Sequence, residues 1–232
     1  DLKTMSRFAS TFSAIFTGAD VKPVLDELIA RTEDELDYRI EAGNQRAFAA
    51  AFDGDPQFAV PRVVASAPKV LVTEWMTGAP LSSIIADGTP EQRNAAGELL
   101  VLFAFASPAR ARLLHADPHP GNFMLLADGR LGVIDFGATA PMPNGLPPVL
   151  GRMVRLARDE RFDELVDLCT DSGFVIPGRK VSAQEISDYL RPFTDPIRTD
   201  SFHFTRSWLQ KAAGTATEFD SAQFRTARAL NM

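Results

Sequence analysis

The stretch LLHADPHPGNFMLLADGRLGVIDFG, residues 113–137, constrains the fold of this chain more than any other. Two apolar runs, 124–127 and 131–134, are separated by Asp128-Gly129. Asp-Gly between apolar runs is a strong signal for a tight turn, so the pattern predicts a β-hairpin. Polar residues stand before and after it. Because a hairpin folds back on itself, the stretch predicts that these polar residues meet at one point.

The polar residues around this hairpin suit a magnesium and phosphate site. Asn122 offers an amide oxygen and Asp135 a carboxylate, and Mg²⁺ takes one or two such hard ligands from a protein. Asp117 precedes Asn122 on the same loop, close enough to orient a nucleophile or to accept its proton. We therefore predict that the three residues hold Mg²⁺ and the phosphates of ATP. An isolated Asp-Phe-Gly is common, so the prediction depends on the combination.

Two histidines in the same stretch allow a zinc site to be considered. His115 and His119 stand four residues apart, as in helical zinc motifs. Pro118 excludes the continuous helix that such a motif needs, and neither a cysteine nor a third histidine is close in sequence. We interpret His115 as a packed, hydrogen-bonded loop residue and His119 as a residue that shapes the loop.

Bulk composition excludes several functional classes. The net charge of the 232 residues is −6, which argues against nucleic acid as a partner because phosphate binding needs a basic surface. No apolar run approaches the roughly 18 residues of a membrane-spanning helix. The single cysteine, Cys169, excludes an internal disulfide and favours a reducing compartment.

The remaining patterns predict an α+β arrangement. Residues 21–52 show helical spacing of apolar residues, with a separate polar stripe made of Asp34, Asp37, Glu41 and Asn44. Further predicted elements are strands over 60–65 and 70–75, a break at 77–80, and helices over 90–107, 149–160, 162–172, 183–191 and 203–213. This order of elements predicts two unequal lobes.

The motif HADPHPGN followed by VIDFG resembles the UbiB/AarF family of atypical kinases. The segments ELDYRIEA, VPRV, LVTEWMTG and FRTARALN are similar to other parts of the family, so the resemblance covers essentially the whole chain. It implies a two-lobed protein-kinase-like fold with a mostly helical C-lobe. Residues 1–78 would form an incomplete N-lobe with a helix, two strands and a hinge. Residues 79–232 would form the C-lobe with the catalytic loop, the DFG segment and a helical tail.

The resemblance assigns a role to each matching residue. It places Asp117 as the catalytic aspartate and Asn122 and Asp135 as metal ligands. It implies that Glu41 is the helix glutamate that pairs with the ATP lysine. Glu35 and Asp37 would be the two acids of the family's regulatory E-x-D segment. The hinge residues, whose backbone binds adenine, would be Glu74, Trp75 and Met76. For Glu41 the resemblance favours a position in the cleft over a solvated helix face.

The implied activity is that of an ATP-dependent kinase or ATPase that uses Mg²⁺ and ATP. The family's roles imply isoprenoid-quinone biosynthesis or membrane lipid homeostasis, with a lipid or prenyl-lipid substrate. They also imply a cytoplasmic location with peripheral contact at the inner face of the membrane. Since a new helix is predicted soon after Gly137, there is little room for a protein-substrate platform.

Departures from the family pattern are equally informative. The family's upstream loop over the phosphates and its strand lysine have no counterpart here, and none of Lys3, Lys22, Lys69, Lys180 and Lys211 lies on a suitable strand. We therefore expect a fragment, cut at both ends, that binds nucleotide poorly and is itself inactive.

Two other functions and one surface feature stay open. A small-molecule phosphotransferase of the aminoglycoside or choline kinase kind has a similar loop, although Ala116 and Pro118 depart from it. A non-catalytic nucleotide-binding scaffold is the third reading.

Arginines at three-residue spacing after the DFG segment suggest either an anion-binding face or, as we prefer, a solvated face paired with acids. They are Arg152, Arg155, Arg158 and Arg161.

Overall fold

The structure is a computed structural model that describes residues 37–175, 178 and 180–218. The chain divides into two compact units, of which the first ends at Gly145 and the second begins at Leu146. The predicted lobe boundary after Gly78 lies inside the first unit and stays a prediction. Glu35 and the first part of the predicted helix over 21–52 lie outside the described residues.

The first unit contains three helices and eight short strands among its described residues. The helices are α1 (Tyr38–Ala51), α2 (Leu81–Asp87) and α3 (Pro90–Arg110). The strands are β1 (Phe58–Ala59), β2 (Val63–Ala67), β3 (Val70–Thr73), β4 (Gly78–Pro80), β5 (Leu113–His115), β6 (Phe123–Leu126), β7 (Leu131–Val133) and β8 (Thr139–Pro141). The predicted α+β class is confirmed.

Helix α1 begins where its sequence supplies a cap. The Asp37 carboxylate accepts a hydrogen bond from the Arg39 backbone N–H, which satisfies one of the free donors of the first turn. Ala42, Gln45 and Phe48 recur at three-residue spacing and are buried. The helical pattern is therefore confirmed over Tyr38–Ala51, but the predicted helix does not run through Asp37, which is an extended N-cap.

The predicted hairpin is present, and the two strands predicted over 60–65 and 70–75 form a second one. Strands β2 and β3 pair antiparallel, with Ala67 opposite Val70, and they are shorter than the predicted runs. Strands β6 and β7 pair antiparallel around a turn that contains Gly129 with φ +86°, a backbone conformation that favours glycine. Strand β6 begins and ends one residue earlier than the predicted run over 124–127, and β7 ends one residue earlier than the predicted run over 131–134.

The β6–β7 hairpin lies at the centre of a four-stranded sheet with the order β1-β7-β6-β4. Here one prediction is wrong, because Gly78–Pro80, within the predicted break, form strand β4 against β6. A Cβ on Gly78 would lie 2.8 Å from the Leu125 backbone oxygen, so the strands can approach this closely only with glycine. The same glycine that signals a break in sequence therefore permits strand pairing.

Helix α3 begins at a capping box, in which Thr89 and Gln92 satisfy each other's backbone N–H groups. It continues through Pro108 to Arg110, three residues past the predicted end at 107. Pro108 is fully buried, and Arg110 at the end of the helix donates to the Ala51 backbone oxygen and pairs with Asp55. Tertiary contacts therefore outweigh the local helix-breaking signal.

The core of the first unit is a cluster of aromatic rings beneath the β6–β7 hairpin. The centroids of contacting rings lie 5.0 to 6.4 Å apart, within the usual range for aromatic pairs. The six phenylalanines are Phe48, Phe52, Phe58, Phe103, Phe123 and Phe136. They connect α1, β1, α3 and both strands of the hairpin at its open end, which fixes the elements that carry the predicted site.

The second unit is helical in its described part. Its helices are α4 (Pro148–Arg158), α5 (Phe162–Asp171), α6 (Ala183–Thr194) and α7 (Arg206–Glu218), close to the four predicted ones. Cys169 is buried in its core, and burial raises the pKa of this thiol to about 11, so it is unreactive at neutral pH. Arg158 pairs with Asp159, and Arg161 pairs with Glu164, which supports a solvated, ion-paired face.

Candidate functional site

The loop between β5 and β6 holds Asp117 through short-range hydrogen bonds. The backbone N–H of His119 donates to Asp117 Oδ1 at 3.2 Å. The Nδ1 atom of His119 accepts from the Gly121 N–H at 3.1 Å and caps a 3₁₀ turn over Pro120–Asn122. The predicted role of His119 in shaping the loop is confirmed.

Asn122 ends this turn and contacts Asp117 directly. Its amide nitrogen donates to Asp117 Oδ2 at 2.8 Å and to the Asp117 backbone oxygen at 3.2 Å. Both partners can only accept, so the amide nitrogen must face Asp117 and the amide oxygen must point elsewhere. No described residue donates a hydrogen bond to that oxygen, which leaves it available as a ligand.

The hairpin register brings Asn122 beside the DFG segment. Phe123 stands opposite Val133, and the N–H of Ile134 donates to the Asn122 backbone oxygen at 3.0 Å. Asp135 follows immediately. The structure therefore places Asn122 and Asp135 at the same open end of the hairpin, as the sequence predicted.

Asp135 is fixed by its own backbone and by its neighbours. The N–H of Gly137 donates to Asp135 Oδ1 at 3.0 Å, and the second carboxylate oxygen has no hydrogen-bond partner in the described part of the chain. The Asp135 backbone oxygen lies 2.8 Å from His115 Nε2. One carboxylate oxygen of Asp135 is therefore free at the same open end of the hairpin as the free amide oxygen of Asn122.

His115 is buried at the end of β5 in contact with the phenylalanine core. Burial lowers its pKa, and the backbone oxygen and the charge of Asp135 oppose this shift only in part. Because a backbone oxygen can only accept, the neutral ring must carry its proton on Nε2. Its Nδ1 atom is buried with no partner in the described structure. The prediction of a packed, hydrogen-bonded histidine is confirmed.

Helix α1 contributes Glu41 and Asn44 to this site. The Asn44 amide donates to the Phe136 backbone oxygen at 3.1 Å, which joins the helix to the DFG segment. A Cβ on Gly137 would lie 3.5 Å from Asp135 Oδ1 and 3.9 Å from Glu41 Oε2, so the two carboxylates approach one point. Sequence reasoning placed Asn44 only on the polar stripe. Its hydrogen bond could not be read from spacing.

Two carboxylates at one point perturb each other. Burial raises the pKa of Glu41, the charge of Asp135 raises it further, and a hydrogen bond from the Phe136 backbone opposes both. Among the described residues, no arginine, lysine or histidine forms an ion pair with Glu41 or Asp135. The site therefore carries excess negative charge and suits a cation.

Asp37, the second acid of the E-x-D segment, lies outside this group. Its side chain caps α1 and pairs with Arg39, and this side-chain hydrogen bond lowers its pKa. The first acid, Glu35, belongs to the residues that the structure does not describe. What the structure shows for Asp37 is a helix cap.

The predicted hinge follows β3. The Glu74 N–H donates to the Arg62 backbone oxygen at 2.9 Å, and the Trp75 side chain is 93% exposed. Within the described chain, the peptide groups of Trp75 and Met76 have no hydrogen-bond partner. Their backbone donors and acceptors are therefore free for a ligand. These residues border a cavity of about 510 Å³ that neither Asp117 nor Asp135 lines.

Comparison with known proteins decides the family. The family model described as "ABC1 atypical kinase-like domain" matches residues 1–154 of the 232. The chain belongs to the ABC1 atypical kinase-like family.

Two curated relatives carry kinase names. This ABC1 domain is 32% identical over 189 residues to "Protein ACTIVITY OF BC1 COMPLEX KINASE 1, chloroplastic" of Arabidopsis thaliana, covering 78% of this chain and 27% of the relative. It is 34% identical over 121 residues to an aarF domain-containing protein kinase of the same plant, covering 51% of this chain and 16% of the relative. The resemblance to the AarF group is thereby confirmed.

A solved relative confirms the fold. Rv3197 of Mycobacterium tuberculosis, described in complex with erythromycin, is 53% identical to this ABC1 domain with a TM-score of 0.84. The match covers 91% of this chain and 54% of that one. The chain therefore spans about half of the solved relative and less than a third of the two curated ones. Within the described part of the ABC1 domain, no helix is both long and apolar enough to cross a bilayer.

Proposed function

We propose that this ABC1 domain is the core of a Mg²⁺-dependent, ATP-using atypical kinase or ATPase of the UbiB type. The observation that carries the proposal is the free amide oxygen of Asn122 and the free carboxylate oxygen of Asp135 at one end of the hairpin. The kinase names of the relatives agree with it.

The residues present fit a magnesium ion. Both Asn122 and Asp135 offer hard oxygen atoms, and Glu41 adds negative charge nearby. Magnesium prefers a few protein oxygens and keeps the rest of its shell for water and phosphate. A bound ion would neutralise phosphate charge during transfer.

Asp117 would orient the attacking hydroxyl or water and accept its proton. Its two carboxylate oxygens are held by Asn122 and by the His119 backbone, so the side chain is fixed in direction. An oxygen that accepts one hydrogen bond retains a lone pair for a second. A fixed carboxylate contributes to catalysis mainly by positioning the nucleophile.

Glu41 would pair with the ATP-positioning lysine that the family carries. Burial and the charge of Asp135 raise the pKa of Glu41, so a cation beside it would relieve an existing repulsion. None of the described lysines is paired with it.

The substrate and location are also proposals. After Gly137 the chain forms β8 over Thr139–Pro141 and then enters α4 at Pro148, which leaves a short segment where protein kinases carry a peptide-binding platform. We infer a small or lipid acceptor, or ATP hydrolysis alone. The implied role is in isoprenoid-quinone biosynthesis or membrane lipid homeostasis, at the inner face of the membrane.

The test is ATP turnover with Mg²⁺ by the complete protein, with and without lipid vesicles. Asp117→Asn removes the proposed general base and Asp135→Asn removes a proposed metal ligand, and each is expected to reduce kcat by about 100-fold or more. Asp87→Asn, at the exposed end of α2, removes the same charge from a residue outside the proposed site and should keep full activity.

The same experiment separates the alternatives. Equal, negligible turnover by all variants with intact Mg²⁺-dependent ATP binding would mean that the protein is a nucleotide-binding scaffold. Transfer of phosphate to an aminoglycoside or to choline would identify a small-molecule phosphotransferase instead.

A further inference from the structure

Asn44, on helix α1, contacts the peptide group that joins Phe136 to Gly137. Its amide nitrogen donates to the Phe136 backbone oxygen at 3.1 Å. Because that oxygen can only accept, the amide nitrogen must face it, and the direction of the Asn44 side chain is determined. Among the described residues, no other group donates a hydrogen bond to this oxygen.

The other end of the same peptide group contacts the proposed metal ligand. The Gly137 N–H donates to Asp135 Oδ1 at 3.0 Å. A trans peptide group is planar, and its C=O and N–H point in opposite directions, so a donor bound at the oxygen also fixes the direction of the N–H. Asn44 therefore acts on the Asp135 carboxylate through one rigid group. Hydrogen bonds that form such a chain strengthen one another.

Other contacts fix the rest of the DFG segment but not this peptide group. The Phe136 ring is fully buried, and its centroid lies 5.0 Å from that of Phe48. The Asp135 backbone oxygen lies 2.8 Å from His115 Nε2. Gly137 has no Cβ, so rotation of the peptide group before it meets little steric resistance. The Asn44 amide is thus the contact that opposes this rotation.

We propose that Asn44 is a positioning residue of the magnesium site. It keeps the 136–137 peptide group in the orientation whose N–H holds Asp135 Oδ1, which leaves the other carboxylate oxygen free for the ion. Without the Asn44 amide, this peptide group rotates, and the Asp135 carboxylate loses its donor and its single orientation. The inference rests on the proposed function of Asp135 as a metal ligand.

The same helix also carries Glu41, three residues before Asn44. The Phe136 backbone hydrogen-bonds the Glu41 carboxylate as well. Helix α1 therefore holds both the proposed partner of the ATP lysine and the peptide group that orients the metal ligand. A shift of α1 would change both parts of the site together.

A purely structural role is the alternative, and α1 offers a matched control for it. Gln45 also donates a side-chain amide to a backbone oxygen, that of Pro61 at 2.6 Å, but this oxygen lies before strand β2 and outside the DFG segment. Asn44→Leu and Gln45→Met each remove one such donor at nearly constant volume. Both should lower Tm, because each leaves a backbone oxygen without its donor. Only Asn44→Leu should change the metal site.

The first measurement is Mn²⁺ binding to the complete protein, with free Mn²⁺ followed by electron paramagnetic resonance below the Tm of every variant. The binding that is lost in Asp135→Asn defines the site. Asn44→Leu should weaken this binding about tenfold, the usual effect of removing a group that orients a metal ligand. Gln45→Met should keep the wild-type affinity. Asn44→Ala repeats the test with a smaller side chain, so the result does not depend on how the leucine packs.

The second measurement follows the peptide group itself by NMR. Phe136-Gly137 is the single Phe-Gly pair in the 232 residues, so phenylalanine labelled with ¹³C at the carbonyl and glycine labelled with ¹⁵N select its N–H signal. Asn44→Leu should move this signal and make the N–H exchange faster with solvent. Gln45→Met should leave both unchanged.

The proposal fails if Asn44→Leu and Asn44→Ala bind Mn²⁺ as the wild type does, or if the Gly137 signal does not move. It also fails if Gln45→Met weakens Mn²⁺ binding as much as Asn44→Leu, because the effect would then follow stability alone. Wild-type Mn²⁺ binding by Asp135→Asn would contradict the proposed function, and this inference with it.

Discussion

The Asn122 amide nitrogen donates to Asp117 Oδ2 at 2.8 Å, which links the proposed metal ligand to the proposed catalytic aspartate. This bond determines which way the amide points, because the carboxylate can only accept. The two residues thus form one structural unit, and a change in either affects the geometry of both.

Asn122→Asp should destabilise the fold, because it replaces the donor with a second carboxylate at hydrogen-bond distance. We expect a loss of about 1–3 kcal/mol at pH 7, measured by urea denaturation, and a smaller loss below about pH 4, where carboxyl groups are protonated. Asn94→Asp, on the exposed face of α3, makes the same chemical change at a side chain that donates no hydrogen bond to a carboxylate in the described structure. Equal losses in both variants would contradict the role of the bond.

Glu41→Gln should stabilise the protein at neutral pH. Burial and Asp135 raise the pKa of Glu41, so the folded state binds more protons than the unfolded state between the ordinary value of 4.5 and the folded pKa. Wild-type stability therefore falls as pH rises through that window and stays lower above it. We expect a Tm higher by about 2 °C at pH 7.

The pH dependence is the check on this explanation. The advantage of Glu41→Gln should disappear below pH 4.5, where the wild-type side chain is also neutral. Glu98→Gln, on the exposed surface of α3, should show no such dependence. A constant difference at every pH would indicate packing rather than charge.

His115 should make the protein sensitive to mild acid. Burial lowers its pKa, so the unfolded state binds a proton below the ordinary value of 6.5 while the folded state does not. The free energy of unfolding should therefore decrease as pH falls from 6.5 toward the folded pKa. Chemical denaturation between pH 7.5 and about pH 5 measures this slope.

His115→Phe should flatten that slope. The variant should also lose about 1–3 kcal/mol at pH 7, because the Asp135 backbone oxygen loses its donor. His203→Gln removes an exposed histidine and should keep the wild-type slope. If His115→Phe keeps it too, His115 is not the titrating group.

Two glycine substitutions should have opposite effects. Gly78→Ala places a Cβ 2.8 Å from the Leu125 backbone oxygen, which cannot move without disturbing β6, so we expect a loss of about 1–3 kcal/mol. Gly43→Ala lies within α1 with no atom inside 4 Å and should gain about 0.5–1 kcal/mol. Thermal unfolding measures both, and a gain from Gly78→Ala would contradict the close approach of β4 and β6.

Local sequence signals were sufficient for most of the fold and for the centre of the site. Asp128-Gly129 predicted the hairpin, and the hairpin alone brought Asn122 to Asp135. The longer helices were predictable from apolar spacing and mainly their ends moved, whereas the short helix α2 over Leu81–Asp87 was not predicted. The end of α3 moved because the burial of Pro108 is a tertiary effect.

Features that depend on distant partners could not be predicted. Strand β4 has three residues, and only its pairing with β6 makes it a strand. Gln45 looks like an ordinary helix residue, yet it is buried and donates to the Pro61 backbone oxygen at 2.6 Å. The roles of Glu74, Trp75 and Met76 in binding adenine stay a prediction, as does the regulatory role of Glu35 and Asp37.

The length of the turn at Gly129 sets the strand register at the proposed site, which lies about 13 Å away. Exposed turns usually tolerate insertions, but one extra residue here would move the strand pairing by one position. Successive strand side chains point to opposite faces, so Asp135 would then turn away from Asn122. An insertion of two residues would restore the face but would move Asp135 along the strand by about 6–7 Å. The length of a surface turn is thus coupled to the proposed metal site.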